Sequence, residues 1–347
     1  VSVLAVVTAA AASVIMAEVL TAYLHARFPE VRDTLDRFPL GDGPTPVRQL
    51  SRLISTQPVW IKDDGVYGNG GWGGNKVRKL EWLLPEIKRQ RRSTILTFGG
   101  LGTNWGLAAT LYAHEFGIHT ALALVDQPVD EHVEAHLQRL RASGADIHLT
   151  HSKARTVAVA PYLYLRHRRP YLLPVGGSSP LGTLGYVEAG LELAAQVQAG
   201  AMPAPSSVVT AVGSGGTVAG LYLGLALAGL TDTQVIGIVV NDKLHLDHRS
   251  ITSLADRAAR LLESRGANLP HTDLPANRLM LLRDWLGAGY GHPTSQGTHA
   301  LQHARETEGL DLDPVYTAKT MAALLDLAAN DRLPGGPTLY LHTNGPR

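Results

Sequence analysis

From residue 58 onward, short β-branched and aliphatic runs alternate with stretches whose apolar positions recur every three or four residues. The runs at 58–62, 93–98, 118–125, 145–150, 206–212 and 235–240 predict strands. Between them, 76–91, 104–116, 130–143, 180–199 and 217–229 predict helices. This alternation predicts an α/β fold of open parallel sheets covered by helices. Pro85 interrupts the first helix and is expected to kink it. The irregular stretch 265–293, rich in Pro, Gly and Asn, reads as a long connection and not as a domain boundary.

The first helix opens on Lys76, directly after Gly73-Gly74-Asn75. Leu80, Leu83, Leu84 and Ile87 follow it at i+4, i+7, i+8 and i+11, so the lysine shares the apolar stripe of its own helix. Arg78 and Lys79 are expected to point elsewhere. An ammonium turned to a protein interior finds a partner or gives up its proton, and a neutral buried amine is the nucleophile of Schiff-base chemistry. A lysine that snorkels from a helix start explains the position without any chemistry, and at this point both readings stand.

Composition narrows the classes. The 347 residues, 45% hydrophobic, can bury a large core and predict two lobes. Thirty-one basic against 30 acidic residues leave no electrostatic footprint for nucleic acid or an anionic membrane, so small-molecule chemistry is expected. The absence of cysteine excludes a disulfide framework, thiolate metal sites and a thiol nucleophile. The uncharged first 17 residues have no Lys or Arg ahead of their apolar run, end at Glu18 and are short for a bilayer span. Met16 is the expected natural start, with residues 1–15 coming from an upstream start assignment.

Glycines gather where strands enter helices, at 68–74, 99–102 and 213–220. Gly213-Ser214-Gly215-Gly216-Thr217 aims backbone N–H groups and a helix N-terminus at one point, with two hydroxyls beside them, which suits a phosphate. No lysine follows these glycines, so a P-loop is excluded. A dinucleotide fold stays open, because the next strand ends at Asn241-Asp242, although the Gly-x-Gly-Gly spacing differs from the fingerprint. After Gly99-Gly100-Leu101-Gly102, Thr103 and Asn104 stand at a helix head, either as caps or as a carboxylate site with an amide for a ligand oxygen. The pairs His132/His136 and His299/His303 lie on polar helices without a third ligand and read as solvated faces, so no metal is expected. No Gly-x-Ser-x-Gly elbow supports a serine hydrolase.

Four ordered motifs carry a resemblance: Gly73-Gly74-Asn75-Lys76-Val77-Arg78-Lys79-Leu80-Glu81, Pro174-Val175-Gly176-Gly177-Ser178-Ser179-Pro180-Leu181-Gly182 with Gly185-Tyr186, Gly213-Ser214-Gly215-Gly216-Thr217, and Asp313-Pro314-Val315-Tyr316-Thr317-Ala318-Lys319. From about Pro44 to its end the chain resembles the tryptophan-synthase-β-like, type II pyridoxal-phosphate enzymes. Within them it is similar to the 1-aminocyclopropane-1-carboxylate deaminase/D-cysteine desulfhydrase family. The resemblance implies the type II fold: a large cofactor-binding domain of residues 1–78 and 188–347, and a small inserted α/β domain of 79–187. It implies pyridoxal 5'-phosphate joined to Lys76 as a Schiff base, Asn104 on the cofactor's 3-hydroxyl and Gly213, Ser214, Gly215, Gly216 and Thr217 on its phosphate. Thr103 stands where the family has a catalytic or substrate-binding serine. Tyr290 and Tyr316 match two active-site tyrosines, Thr317 would face the pyridine nitrogen, and Thr343 with Thr103 and Asn104 would meet the substrate.

Two departures bear on substrate. The family's Gln-Ser-Asn-His run is here Gly102-Thr103-Asn104-Trp105, and its Gly-Gly-Ala-Pro-like end is His342-Thr343-Asn344-Gly345-Pro346-Arg347. Members that open the cyclopropane ring carry Glu and Leu where this chain has Thr317 and Thr343, so the resemblance implies β-elimination from D-cysteine. The alternatives are 1-aminocyclopropane-1-carboxylate deamination and, from another class, a cofactor-retaining binding protein with little turnover. A cytoplasmic homodimer acting on a small amino acid, without nucleic-acid or membrane partners, is expected.

Overall fold

The computed structural model describes residues 22–129, 131–270 and 274–345. The expectation about residues 1–15 falls outside them. The strands are β1 (Val47–Gln49), β2 (Val59–Asp63), β3 (Gly73–Gly74), β4 (Thr94–Gly100), β5 (His119–Val125), β6 (Asp146–His151), β7 (Tyr171–Leu172), β8 (Ser207–Val212), β9 (Gln234–Val239), β10 (Leu279–Leu282), β11 (Thr338–His342) and β12 (Asn344–Gly345). The helices are α1 (Tyr23–Arg27), α2 (Asn75–Arg89), α3 (Asn104–Glu115), α4 (Glu131–Ala142), α5 (Lys153–Arg166), α6 (Pro180–Gln198), α7 (Gly216–Leu227), α8 (His248–Ser264), α9 (Ser295–Glu308) and α10 (Thr317–Ala329). Each predicted strand and helix is present, with ends within two residues of those expected. The stretch 265–293 is not wholly irregular, because β10 lies in it and pairs in parallel with β9.

Two parallel sheets form the frame. The larger runs β1-β2-β11-β8-β9-β10, parallel except for the antiparallel edge strand β1. Alternate residues of its central strands feed opposite faces. Val208, Val212, Val235 and Val239 pack among buried residues of α6, α7 and α8, whereas Val209, Ala211, Ile236 and Ile238 pack against α9 and α10. Both faces are therefore covered, which is why these strands read as continuous apolar runs. The smaller sheet runs β6-β5-β4-β7, all parallel, with its core on α2 and α3. Among the described residues no helix is long and apolar enough to cross a membrane.

Helix α2 joins the two sheets and runs on through Pro85. Proline cannot donate to the carbonyl four residues back, and that carbonyl, on Glu81, instead accepts the Phe38 N–H at 2.9 Å. The start of α2 is pinned by the end of the chain. β3 pairs antiparallel with β12, and the Asn75 N–H donates to the Thr343 carbonyl at 3.3 Å. Gly74, at φ +92°, has no room for a side chain, since a Cβ would stand 2.5 Å from the Thr343 oxygen.

Candidate active site

A cavity of about 750 Å³ opens between the two sheets. Gly99 and Gly100 at the end of β4, Val125 of β5, His151 of β6, Gly213 after β8 and Asn241 after β9 all line it. These are the carboxyl ends of parallel strands, where open α/β sheets leave a crevice for ligands.

Lys76 enters this cavity from the first turn of α2. Its Nζ donates to Asn75 Oδ1 at 2.7 Å and lies 5.9 Å from the centre of the Tyr316 ring. Burial lowers its pKa to about 8, against a smaller opposing pull from the Asp313 carboxylate. A usable fraction of neutral amine is thus present near neutrality. Below about pH 8 the rate at which the cofactor-free protein captures an aldehyde cofactor should rise roughly tenfold per pH unit and then level off. Stopped-flow absorbance between pH 6 and 9.5 measures it, and a flat profile would mean that the amine of Lys76 does not limit capture.

Arg78 and Lys79 do not point away from the interior. Arg78 is fully buried, its guanidinium held by Asp64 at 2.9 Å and by Glu192 at 2.9 and 3.0 Å. Lys62 and the Tyr186 hydroxyl complete this ion cluster. Counting apolar neighbours along one helix could not reveal it, because both carboxylates come from distant segments. Lys79 is buried one turn beyond Lys76 and lines the same cavity. Its Nζ donates to the Gly176 carbonyl at 3.0 Å, and among the described residues no carboxylate pairs with it. Burial first, and then the charge of Lys76, push its pKa well below that of an ordinary lysine. A buried amine without a counter-ion is a site for an anion. The signal was its i+3 spacing from Lys76.

The turn from β8 into α7 lies beside Lys79. Gly215 is left-handed at φ +91°, and a Cβ on Gly216 would stand 3.1 Å from Lys79 Nζ and 2.7 Å from Ser178 Oγ. Ser178, in a quoted motif but given no role from sequence, accepts the Gly216 N–H at 3.0 Å and shares a hydrogen with Ser214 Oγ at 2.8 Å. Asn75 Nδ2 donates to Thr217 Oγ1 at 3.2 Å, tying this turn to the start of α2. Gly213, Ser214, Gly215 and Thr217 line the cavity, and Gly216 lies just behind them.

At the opposite wall, Thr103 caps α3 by accepting the Gly106 N–H at 3.1 Å and also lines the cavity, so the capping and ligand readings are compatible. Asn104, beside it, has a buried Oδ1 with no hydrogen-bond partner among the described residues. Trp105 lines the cavity with its Nε1 on Thr97 Oγ1 at 2.9 Å. Tyr290 and Tyr316 meet hydroxyl to hydroxyl at 2.6 Å, and burial raises the pKa of both, so both stay neutral. Thr343 completes the wall.

Thr317 is not part of it. It is fully buried behind Asp313, donating its hydroxyl hydrogen to Asp313 Oδ2 at 2.6 Å while accepting the Asp313 N–H at 2.7 Å. Asp313 reaches the cavity, but its oxygens already accept the N–H groups of Val315, Tyr316 and Thr317 as well as that hydroxyl. The four acceptor positions of the carboxylate are spent on capping α10.

The comparisons agree with this geometry. The family described as pyridoxal-phosphate dependent enzyme matches residues 39–344. A solved structure described as an ACC deaminase homologue is similar at 30% identity, with a TM-score of 0.76 over 91% of this chain and 93% of that one. A lysine-to-alanine mutant of O-ureido-L-serine synthase with O-ureido-L-serine bound is similar at 16% identity, with a TM-score of 0.61 over 88% of each chain, a likeness of fold alone. The fold is the type II pyridoxal-phosphate fold, and this chain belongs to the pyridoxal-phosphate-dependent enzymes.

Proposed function

We propose that this enzyme eliminates the β-substituent of a small amino acid, D-cysteine or a close relative, giving a 2-oxo acid and ammonia. For D-cysteine, one water is consumed and pyruvate, sulfide and ammonia leave. Two features of the cavity fit the family's cofactor: Asn104 Oδ1, without a partner among the described residues, and the buried Lys79 amine, without a carboxylate partner among them, beside a turn that has no space for side chains. When bound, pyridoxal phosphate supplies an electron sink conjugated to the substrate amine. In this reading Lys76 carries the cofactor aldehyde, Lys79 with the turn from Gly213 to Thr217 holds the phosphate, and Asn104 takes the ring hydroxyl. Lys76, whose lowered pKa leaves a usable fraction of neutral amine, receives the proton from the substrate Cα. The neutral Tyr290–Tyr316 hydroxyl pair offers a proton to the departing thiolate. Thr103, at the head of α3, steadies the substrate.

The observation that favours β-elimination is the state of Asp313 and Thr317. A carboxylate facing a pyridine nitrogen keeps it protonated and the ring a strong electron sink, which breaking a carbon–carbon bond demands. Here residue 317 is a threonine whose only proton is given to Asp313, and Asp313 has no acceptor position left. Expelling a thiolate from Cβ asks less of the ring. With both substrates assayed side by side, pyruvate and sulfide from D-cysteine should form well over tenfold faster than 2-oxobutanoate from 1-aminocyclopropane-1-carboxylate. Faster ring opening overturns this reading. A stable visible cofactor band with neither product favours the binding protein instead.

A further inference from the structure

Helix α5 is apolar on two sides. Val159 and Leu163 face the small sheet and pack with Leu96, Ala121 and Ala123. On the opposite side Ala154, Val157, Ala158, Pro161, Tyr162 and Leu165 are all exposed, and their spacing of i, i+3, i+4, i+7, i+8 and i+11 makes them one stripe. A helix that is apolar all round is normally covered all round. Here Val157, Tyr162 and Leu165 are 66%, 62% and 71% exposed, three of the seven large apolar side chains that stand so open among the described residues. Leu172 is a fourth. It pairs with Leu96 and therefore stands on the sheet face that α5 covers. An open apolar surface of this kind marks a docking face.

Charge says what docks there. From Ser152 to Pro170 the chain holds no Asp or Glu. Exposed Lys153 and Arg155 flank the stripe at one end and exposed Arg166, Arg168 and Arg169 at the other. Among the described residues none of the five pairs with a carboxylate, and Asp126 and Asp146, at the two ends, lie against His151 and His167. Arg168 and Arg169 hold φ of +54° and +59°, so two guanidiniums stand on a left-handed turn that glycine would fill at less cost. A second copy docked on this face would set cation against cation whichever way the two helices ran. A nucleic acid would match the charge and leave the stripe in water. An anionic bilayer matches both, its phosphates meeting the arginines and its acyl chains the stripe. We infer that the outer face of α5 docks this protein on an anionic lipid bilayer. The near-equal totals of basic and acidic residues average over the whole surface, so they carry no sign of it.

The test is cosedimentation of the full-length holoenzyme with vesicles of phosphatidylcholine alone or mixed with phosphatidylglycerol. In low salt the protein should bind the anionic vesicles on the order of a hundredfold more tightly than the neutral ones, and high salt should release it. Arg168→Asn combined with Arg169→Asn should weaken that binding about thirtyfold, and Leu165→Ser about tenfold. Asparagine tolerates the left-handed backbone, so the turn survives the double substitution. Leu165, Arg168 and Arg169, unlike Val157, do not line the cavity, so the cofactor's visible band should stay as in wild type. Equal binding to neutral vesicles, binding that these substitutions do not weaken, or no binding to either lipid overturns the inference. A protein that ignores lipid but self-associates through Leu165 assigns the face to a second copy, and one that binds an oligonucleotide in place of vesicles assigns it to nucleic acid; both outcomes overturn the inference.

Discussion

Lys76→Ala should abolish the borohydride-reducible link to pyridoxal phosphate and lower turnover by a factor on the order of 10⁴ or more, because both the aldehyde-capturing amine and the proposed base are lost together. The cofactor should still bind without a covalent link. Its proposed phosphate contacts come from Lys79 and from the turn between β8 and α7, which the substitution leaves in place. The fold should survive as well. The ammonium of Lys76 costs desolvation where it sits, and its side chain bonds only Asn75 among the described residues. Mass spectrometry after reduction reads the link, and circular dichroism reads the fold. A link that persists in this variant would move the role to Lys79, the other lysine on the same helical face.

Much of this site was legible because its chemistry is local. Lys76 follows a glycine turn and sits on an apolar stripe, and Gly213 to Thr217 join a strand to a helix, so spacing marks both as candidates, and the structure brings them to one cavity. What escaped the sequence depends on contacts between distant segments. Arg78 and Lys79 share the helix of Lys76, yet their burial follows from Asp64, Glu192 and the Gly176 carbonyl, which no helical periodicity records. Thr317 stands in a motif that aligned it with the pyridine nitrogen, but Asp313, four residues earlier, captures its hydroxyl and turns it into part of a helix cap. The same logic applies to β10. Its four residues are too short to show alternation, and only the free edge of β9 makes them a strand.

Lys79→Met should move cofactor binding and apoprotein stability in opposite directions. A charge-assisted contact to a phosphate dianion is worth about a tenfold to hundredfold in affinity, so the Kd for pyridoxal phosphate should rise by that factor while the link to Lys76 still forms. Without the cofactor the ammonium has no counter-ion, and burial holds its pKa well below the unfolded value. The unfolded chain therefore binds more protons than the folded one at this position, and apoprotein stability rises with pH from the depressed pKa up to the unfolded pKa near 10.4. Methionine, of similar length and without a charge, removes that penalty. The variant apoprotein should melt at a higher temperature than wild type at pH 7, and the gap should close toward pH 10. Lys76, with its own pKa lowered to about 8, leaves a residual slope between pH 8 and 10 in both proteins, so the comparison is made at pH 7 and at pH 10 on the difference between them. With pyridoxal phosphate added, the order should reverse, because the phosphate raises the pKa of Lys79 and turns a buried cost into a paired charge. A variant that is less stable than wild type in both states would mean that Lys79 is a packing residue and that the phosphate is held by the turn alone.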